Sequence, residues 1–171
     1  IINAGGDVIK VTRILASSVK TLVNADRCAV FVADERKKVL VANIEDNMVV
    51  KLKYGRGLAG AVAVNRESTL VDNAYEEKNF YPDIDLETSY ITQSVMMVPM
   101  IVDGVLLAVV QLVNKKSDDA MKTVNFGDDD LMLFKAFTQI AGVTFRNALL
   151  YREQQRWAQQ NERMAAITAE L

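Results

Sequence analysis

An α+β fold follows from three features of this chain. Short β-rich runs recur between polar turns, stretches with helical apolar spacing stand at both ends, and two of the strand-like runs meet at Asp103-Gly104, a strong hairpin signal. The expected architecture is a mainly antiparallel sheet of five to six strands. Helices from both ends of the chain cover one face, an irregular lid covers the other, and one long helix closes the chain.

In order, Asp7 is placed to cap a first helix running to about Asn24, because Val8, Val11, Ile14, Leu15, Val19 and Leu22 recur three and four residues apart. Cys28 to Ala33 is apolar on both faces, which predicts a central strand. Asp34 to Lys38 reads as a charged hairpin turn, Val39 to Ile44 as the returning strand, and Glu45-Asp46-Asn47 as a second turn before Val49 to Leu52. Gly55-Arg56-Gly57-Leu58-Ala59-Gly60 then opens a short helix, Leu58 to Val64. Its glycine spacing is not that of a dinucleotide site. Two readings stay open: a helix N-terminus that seats a phosphate, or glycines that only permit a tight turn.

Ser68 to Val71 is a further short strand. Residues 72 to 85 mix aromatic, acidic and hydroxyl side chains without sheet periodicity, as functional lids do. Leu86 to Thr92 is expected as a short helix, with the Thr88 and Thr92 hydroxyls on one face. Val95 to Ile101 and Val105 to Val113 are the strands joined at Asp103-Gly104. From Asp128 one helix runs to the C-terminus, with Leu131, Phe134, Phe137, Ile140, Ala141 and Phe145 expected toward the core and Gly142 a weak interruption. Val143, Leu150, Trp157, Met164 and Leu171 recur every seven residues, which predicts a helical partner, a second copy of this chain; a solvated linker helix is the other reading. Residues 1–150 are therefore taken as the domain and 151–171 as a helical, dimerising extension.

Composition removes several function classes. The 171 residues carry a net charge of −2 with no basic block, which argues against nucleic acid as a partner. The absence of histidine removes the serine and cysteine triads and histidine-bound metal or haem sites, so no catalytic or metal-ligating residue is assigned. The one cysteine, Cys28, sits in the predicted central strand and is expected as a buried thiol of a cytoplasmic protein. No apolar run approaches the length of a membrane helix. Without an initiator Met or a signal peptide, the sequence is expected to be a fragment of a longer protein.

The most informative stretch runs from Val105 to Phe134. Gln111 is a lone amide in an apolar strand, so something polar should face it. Lys115 leaves the strand end and Asp130 begins the last helix, with Phe126 between them. The pair reads as a charge-assisted bridge over an apolar plug. Asn114, Lys115, Phe126 and Asp130 together resemble the motif of cyclic-nucleotide-binding GAF domains, found in phosphodiesterases and some adenylyl cyclases; Leu131 departs from it where the motif ends in Glu. The resemblance spans about residues 7 to 150 and implies a GAF/PAS-like fold.

The resemblance also implies a function. The Lys115–Asp130 bridge would close a ligand pocket without touching the ligand. Leu58 and Ala59 would lie against the ligand, while Tyr81, Asp85, Thr88 and Thr92 would wrap the ribose and cyclic phosphate. Gln111 would face the ligand from the sheet, and Asp46, with Ala29 nearby, would border the base. The expected module binds a purine 3′,5′-cyclic nucleotide, uses no cofactor, and controls a linked catalytic domain, by resemblance a phosphodiesterase. Asp46 and Gln111 can serve either base. Cyclic AMP is taken ahead of cyclic GMP because nothing else supplies a dedicated guanine clamp. The competing expectation is a ligand-free GAF domain that only dimerises. A chromophore or haem sensor, or an enzyme built on Asp46, Asp85 and Glu87, is less consistent with the residues present.

Overall fold

The computed structural model of the chain describes residues 6–44, 48–119 and 124–169. Six strands form one sheet: β1 (Ala25–Asp34), β2 (Val39–Asn43), β3 (Val49–Lys53), β4 (Thr69–Val71), β5 (Val95–Val102) and β6 (Val105–Lys115). Their order is β3-β2-β1-β6-β5-β4, with antiparallel pairing throughout. The two longest strands, β1 and β6, take the centre, where both faces are covered. Asp103 and Gly104 both adopt positive φ, 48° and 77°, as a tight two-residue hairpin requires.

Four α-helices complete the domain: α1 (Gly6–Val23), α2 (Gly57–Asn65), α3 (Asp83–Thr88) and α4 (Asp128–Ala169). Both terminal helices lie on one face. Val8, Leu15, Val19 and Val23 of α1 and Phe134 and Phe145 of α4 pack there against Val30, Met96, Met100, Val110 and Leu112. Gly142 has a packing role: a Cβ there would lie 3.0 Å from Val102 Cγ2 and 3.3 Å from Met100 Cγ, so its absence lets α4 settle onto β5. On the opposite face, Ala59, Val62 and Ala63 of α2 pack on Phe31, Leu40, Met97, Leu106 and Val109.

The glycine-rich loop takes the tight-turn role. Gly55 and Gly57 sit at φ +81° and +69°, and a Cβ on Gly60 would come within 2.7 Å of the Lys53 carbonyl oxygen. Arg66, at the far end of α2, donates to Glu35 and to the Gly104 carbonyl, which ties two hairpin turns together.

Three expectations are corrected. The short lid helix covers Asp83–Thr88, not Leu86 to Thr92. Pro82 (φ −78°, ψ 0°) leads into it, Asp83 and Asp85 occupy its first turn where the helix dipole favours acids, and left-handed Ser89 ends it. Ile140 is 76% exposed rather than core-facing. The inward stripe of α4 runs through Phe134, Phe137, Thr138, Ala141 and Phe145, and Ile140 lies on the other side. The first helix is already formed at Gly6, before the expected cap at Asp7.

The turn at Glu45-Asp46-Asn47 and the last predicted heptad position, Leu171, lie outside the described residues. Past the sheet α4 has nothing to pack on: every residue from Glu153 to Thr168 is exposed, Trp157 and Met164 included. Among the described residues no helix is long and apolar enough to cross a membrane.

Candidate functional site

A cavity of about 90 Å³ lies between the central strands and the lid. Its floor is β1 and β6, its roof α3 and the segment after it: Arg27, Cys28, Ala29, Phe31, Ile44, Asp85, Thr88, Tyr90, Thr92, Gln111 and Val113. The cross-strand neighbours of Gln111 are Ala29 and Met97. Neither offers a strong hydrogen-bonding side chain, so the amide is left to the cavity, and the small Ala29 leaves room above it.

Asp85 organises the roof. Its Oδ1 accepts from Thr92 Oγ1 at 2.7 Å; its Oδ2 accepts from the Thr92 N–H at 2.7 Å and from the Tyr75 hydroxyl at 2.8 Å. A buried carboxylate needs such donors, and here both oxygens have them. The bond raises the Tyr75 pKa, since losing its proton would set two negative charges side by side. The predicted Thr88/Thr92 helical face does not form: α3 stops at Thr88, and the Thr92 hydroxyl proton goes to Asp85.

Asn114 fastens the roof to the end of β6. It stands at φ +54°, a conformation asparagine tolerates better than most residues. Its Oδ1 accepts from the Gln93 and Ser94 N–H groups, and its Nδ2 donates to the Ile91 carbonyl and the Tyr90 hydroxyl. Tyr90 in turn donates to Asp26 Oδ2 at 2.7 Å, and the Arg27 guanidinium carbon lies 3.6 Å from its ring centroid. Burial, with the Asp26 bond second, pushes the Tyr90 pKa far above its usual 10. Burial also pushes the Cys28 thiol up to about 12, so it stays protonated and inert.

The bridge expected from the sequence is present. Lys115 Nζ lies 2.5 Å from Asp130 Oδ1, with both side chains about a fifth exposed (22% and 20%). Asp130 Oδ2 also accepts from the Gly127 N–H, and Phe126 is buried in the helix-side core beneath.

The structure thus gathers Ala29, Asp85, Thr88, Thr92 and Gln111 around one space. It does not bring Leu58, Ala59 or Tyr81 to that lining. Ala59 is buried under α2, and Tyr81 is half exposed, its ring centroid 4.7 Å from the Arg56 guanidinium carbon. The tip of the lid and the start of α2 cover each other, since a Cβ on Gly57 would touch Asn79 and Tyr81. Asp46 lies outside the described residues. Sequence reasoning passed over Arg27, Phe31, Ile44, Tyr90 and Val113. The available clue was Asp26-Arg27, a charged pair opening an otherwise apolar strand. Among the described residues, no group of three or more His, Cys, Asp or Glu side chains is placed to hold a metal ion.

Comparison with known proteins agrees with this geometry. A probable 3′,5′-cyclic phosphodiesterase, pde-5 of Caenorhabditis elegans, is 30% identical over 145 residues, covering 76% of this chain and 19% of that protein. The dual 3′,5′-cyclic-AMP and -GMP phosphodiesterase 11A of Takifugu rubripes is 29% identical over 145 residues, 76% of this chain and 16% of its own length. The chain thus spans less than a fifth of these curated relatives. Among solved structures, the second GAF domain of DevS from Mycobacterium smegmatis superposes with a TM-score of 0.64 at 17% identity, covering 86% of this chain and 99% of that one, a likeness of fold. The sequence profile of the GAF domain matches residues 7–145, most of the chain, and with the six-stranded sheet and its flanking helices it shows that this protein belongs to the GAF domain family.

Proposed function

We propose that this domain binds a purine 3′,5′-cyclic nucleotide in the lid-side cavity and thereby controls a linked catalytic domain, a cyclic nucleotide phosphodiesterase. The observation that carries the reading is the pair of fastenings at the end of β6, Asn114 to residues 90–94 of the roof and Lys115 to Asp130 of α4, beside a floor that offers the Gln111 amide. The names of the relatives supply the output: both are phosphodiesterases.

A cavity of about 90 Å³ is smaller than the roughly 300–1,000 Å³ of ligand pockets, so the lid moves outward to admit the nucleotide. The exposed contact of Arg56 with Tyr81 parts first and the half-buried bond of Tyr90 to Asp26 follows, while Asp85 and Asn114 keep the roof in one piece. Gln111 donates to or accepts from the base, and Arg27 supplies positive charge beside it. Asp46 borders the base, as the family resemblance implies. Cyclic AMP is favoured over cyclic GMP because the lining holds no dedicated guanine clamp: among the described residues Asp85 is the one carboxylate there, and three of its roughly four acceptor positions already serve Thr92 and Tyr75. Isothermal titration of the 171-residue chain with each nucleotide tests the reading. Saturable binding at micromolar levels, tighter for cyclic AMP, is the expected result; absence of heat with both refutes it.

One feature favours a second role. Val143, Leu150, Trp157 and Met164 are all exposed along α4, a stripe that a second copy would cover in a homodimer. Truncation after Tyr151 should then convert dimers to monomers in sedimentation. If it does so while neither nucleotide changes the melting temperature, the domain is a ligand-free dimerisation scaffold.

A further inference from the structure

A second and larger space, about 220 Å³, lies on the helix side of the sheet, between α1, the β1–β2 strands and one turn of α4. Its walls are mostly apolar, with Val8 and Ala16 from α1 and Val30, Val32 and Val41 from the sheet. Two cations break that lining, Arg13 and Arg152. The Arg152 Nε is buried and, among the described residues, has no hydrogen-bond partner. A buried donor left unpaired is costly and marks a place where an acceptor would be favoured. Burial, and after it the neighbouring Arg156, lower the Arg152 pKa against an opposing pull from Glu153. Arg13 lines the same space yet is exposed, which sets it at the mouth.

We infer that this cavity is a ligand site for a small monocarboxylate with an apolar body, its head on Arg152 and Arg13 and its chain among Val8, Ala16, Val30 and Val32. The guanidinium fork matches a carboxylate in two parallel hydrogen bonds, and the apolar walls take the rest. Size sets the class: at about 30 Å³ per water-sized group, the space holds roughly seven non-hydrogen atoms, the body of an eight-carbon acid, and is too small for a nucleotide or phospholipid. Cys28 and Ile44 line both this cavity and the lid-side one, so an occupant here presses on a wall of the other site. Any effect of one ligand on the other is reciprocal. The site stands whether or not the lid-side cavity takes a nucleotide.

Titration calorimetry and thermal melting of the 171-residue chain with sodium octanoate test the inference. 1-Octanol (body without charge) and sodium acetate (charge without body) are the controls. Octanoate should bind saturably and raise the melting temperature, with neither control doing so. Arg152→Met should weaken octanoate binding at least tenfold. Ala16→Phe, which fills the space and keeps the arginine, should abolish it. No octanoate binding, equal binding of octanol, or binding unchanged in either variant would overturn the assignment.

Discussion

On its helix side the sheet is covered over β5 and β6 by Phe134, Phe145 and Met100, all at most 1% exposed, in an apolar cluster interrupted only toward β2 by the cavity beside α1. On its lid side, over the same central strands, the contacts are carboxylate, hydroxyl and amide bonds radiating from Asp85 and Asn114 around a cavity. The first kind of contact is non-directional and hard to open in part, because close-packed side chains lose contact together. The second is directional and can be broken one bond at a time. The difference teaches that stability and adaptability are divided between the two faces of a single sheet, and that a perturbation should be global on one side and local on the other.

The largest effect should come from the helix side. Phe134→Ala should cost about 3–5 kcal/mol in denaturant unfolding and raise amide exchange throughout the domain. Next comes the roof. Asp85→Ala leaves the buried Thr92 N–H and hydroxyl without an acceptor and should cost about 1–3 kcal/mol, with exchange rising in residues 72–93 well before α4. If both substitutions raise exchange uniformly, the division between faces fails. A smaller loss, about 1 kcal/mol, is expected for Lys115→Met, because its partly exposed ion pair is screened; the test is whether exchange accelerates at the β6 end and the start of α4 alone.

The smallest effect is in pH. A tyrosine whose folded pKa is raised holds its proton more tightly in the native state. Its stabilisation is complete below the unfolded value of 10 and declines as pH rises past it. Tyr90 should therefore lend the lid no more than about 1 kcal/mol, lost in alkaline solution. Tyr90→Phe should flatten the stability curve above pH 10 but leave a residual slope from Tyr54, whose pKa is raised to about 12 by burial and by Glu35. An unchanged slope in Tyr90→Phe would take Tyr90 out of the fastening.

Legibility in the sequence followed the same division. The β-branched runs and Asp103-Gly104 declared strands and a hairpin because those signals are local, and Lys115 with Asp130 was readable as a pair from their positions at adjoining element ends. The roof was only half legible. Asp85, Thr88 and Thr92 were singled out, but as ligand contacts, with the two threonine hydroxyls on one helix face. The actual use of Asp85 by Thr92 needs α3 to end at Ser89, a boundary set by one left-handed residue. Tyr90 and Asp26 stand 64 residues apart, and no local pattern joins them. Tyr81 was placed in the site by the family resemblance, yet the chain turns its ring toward Arg56 and away from the floor.

The last helix has a mechanical consequence. It is a single unbroken element of 42 residues, about 63 Å at 1.5 Å per residue, and its first turn is pinned to the sheet by Asp130. A rod of that length works as a pointer. Five degrees of tilt at the pinned end would swing the free tip by about 5 Å, so a shift too small to notice at the anchor is written large where the chain leaves the domain.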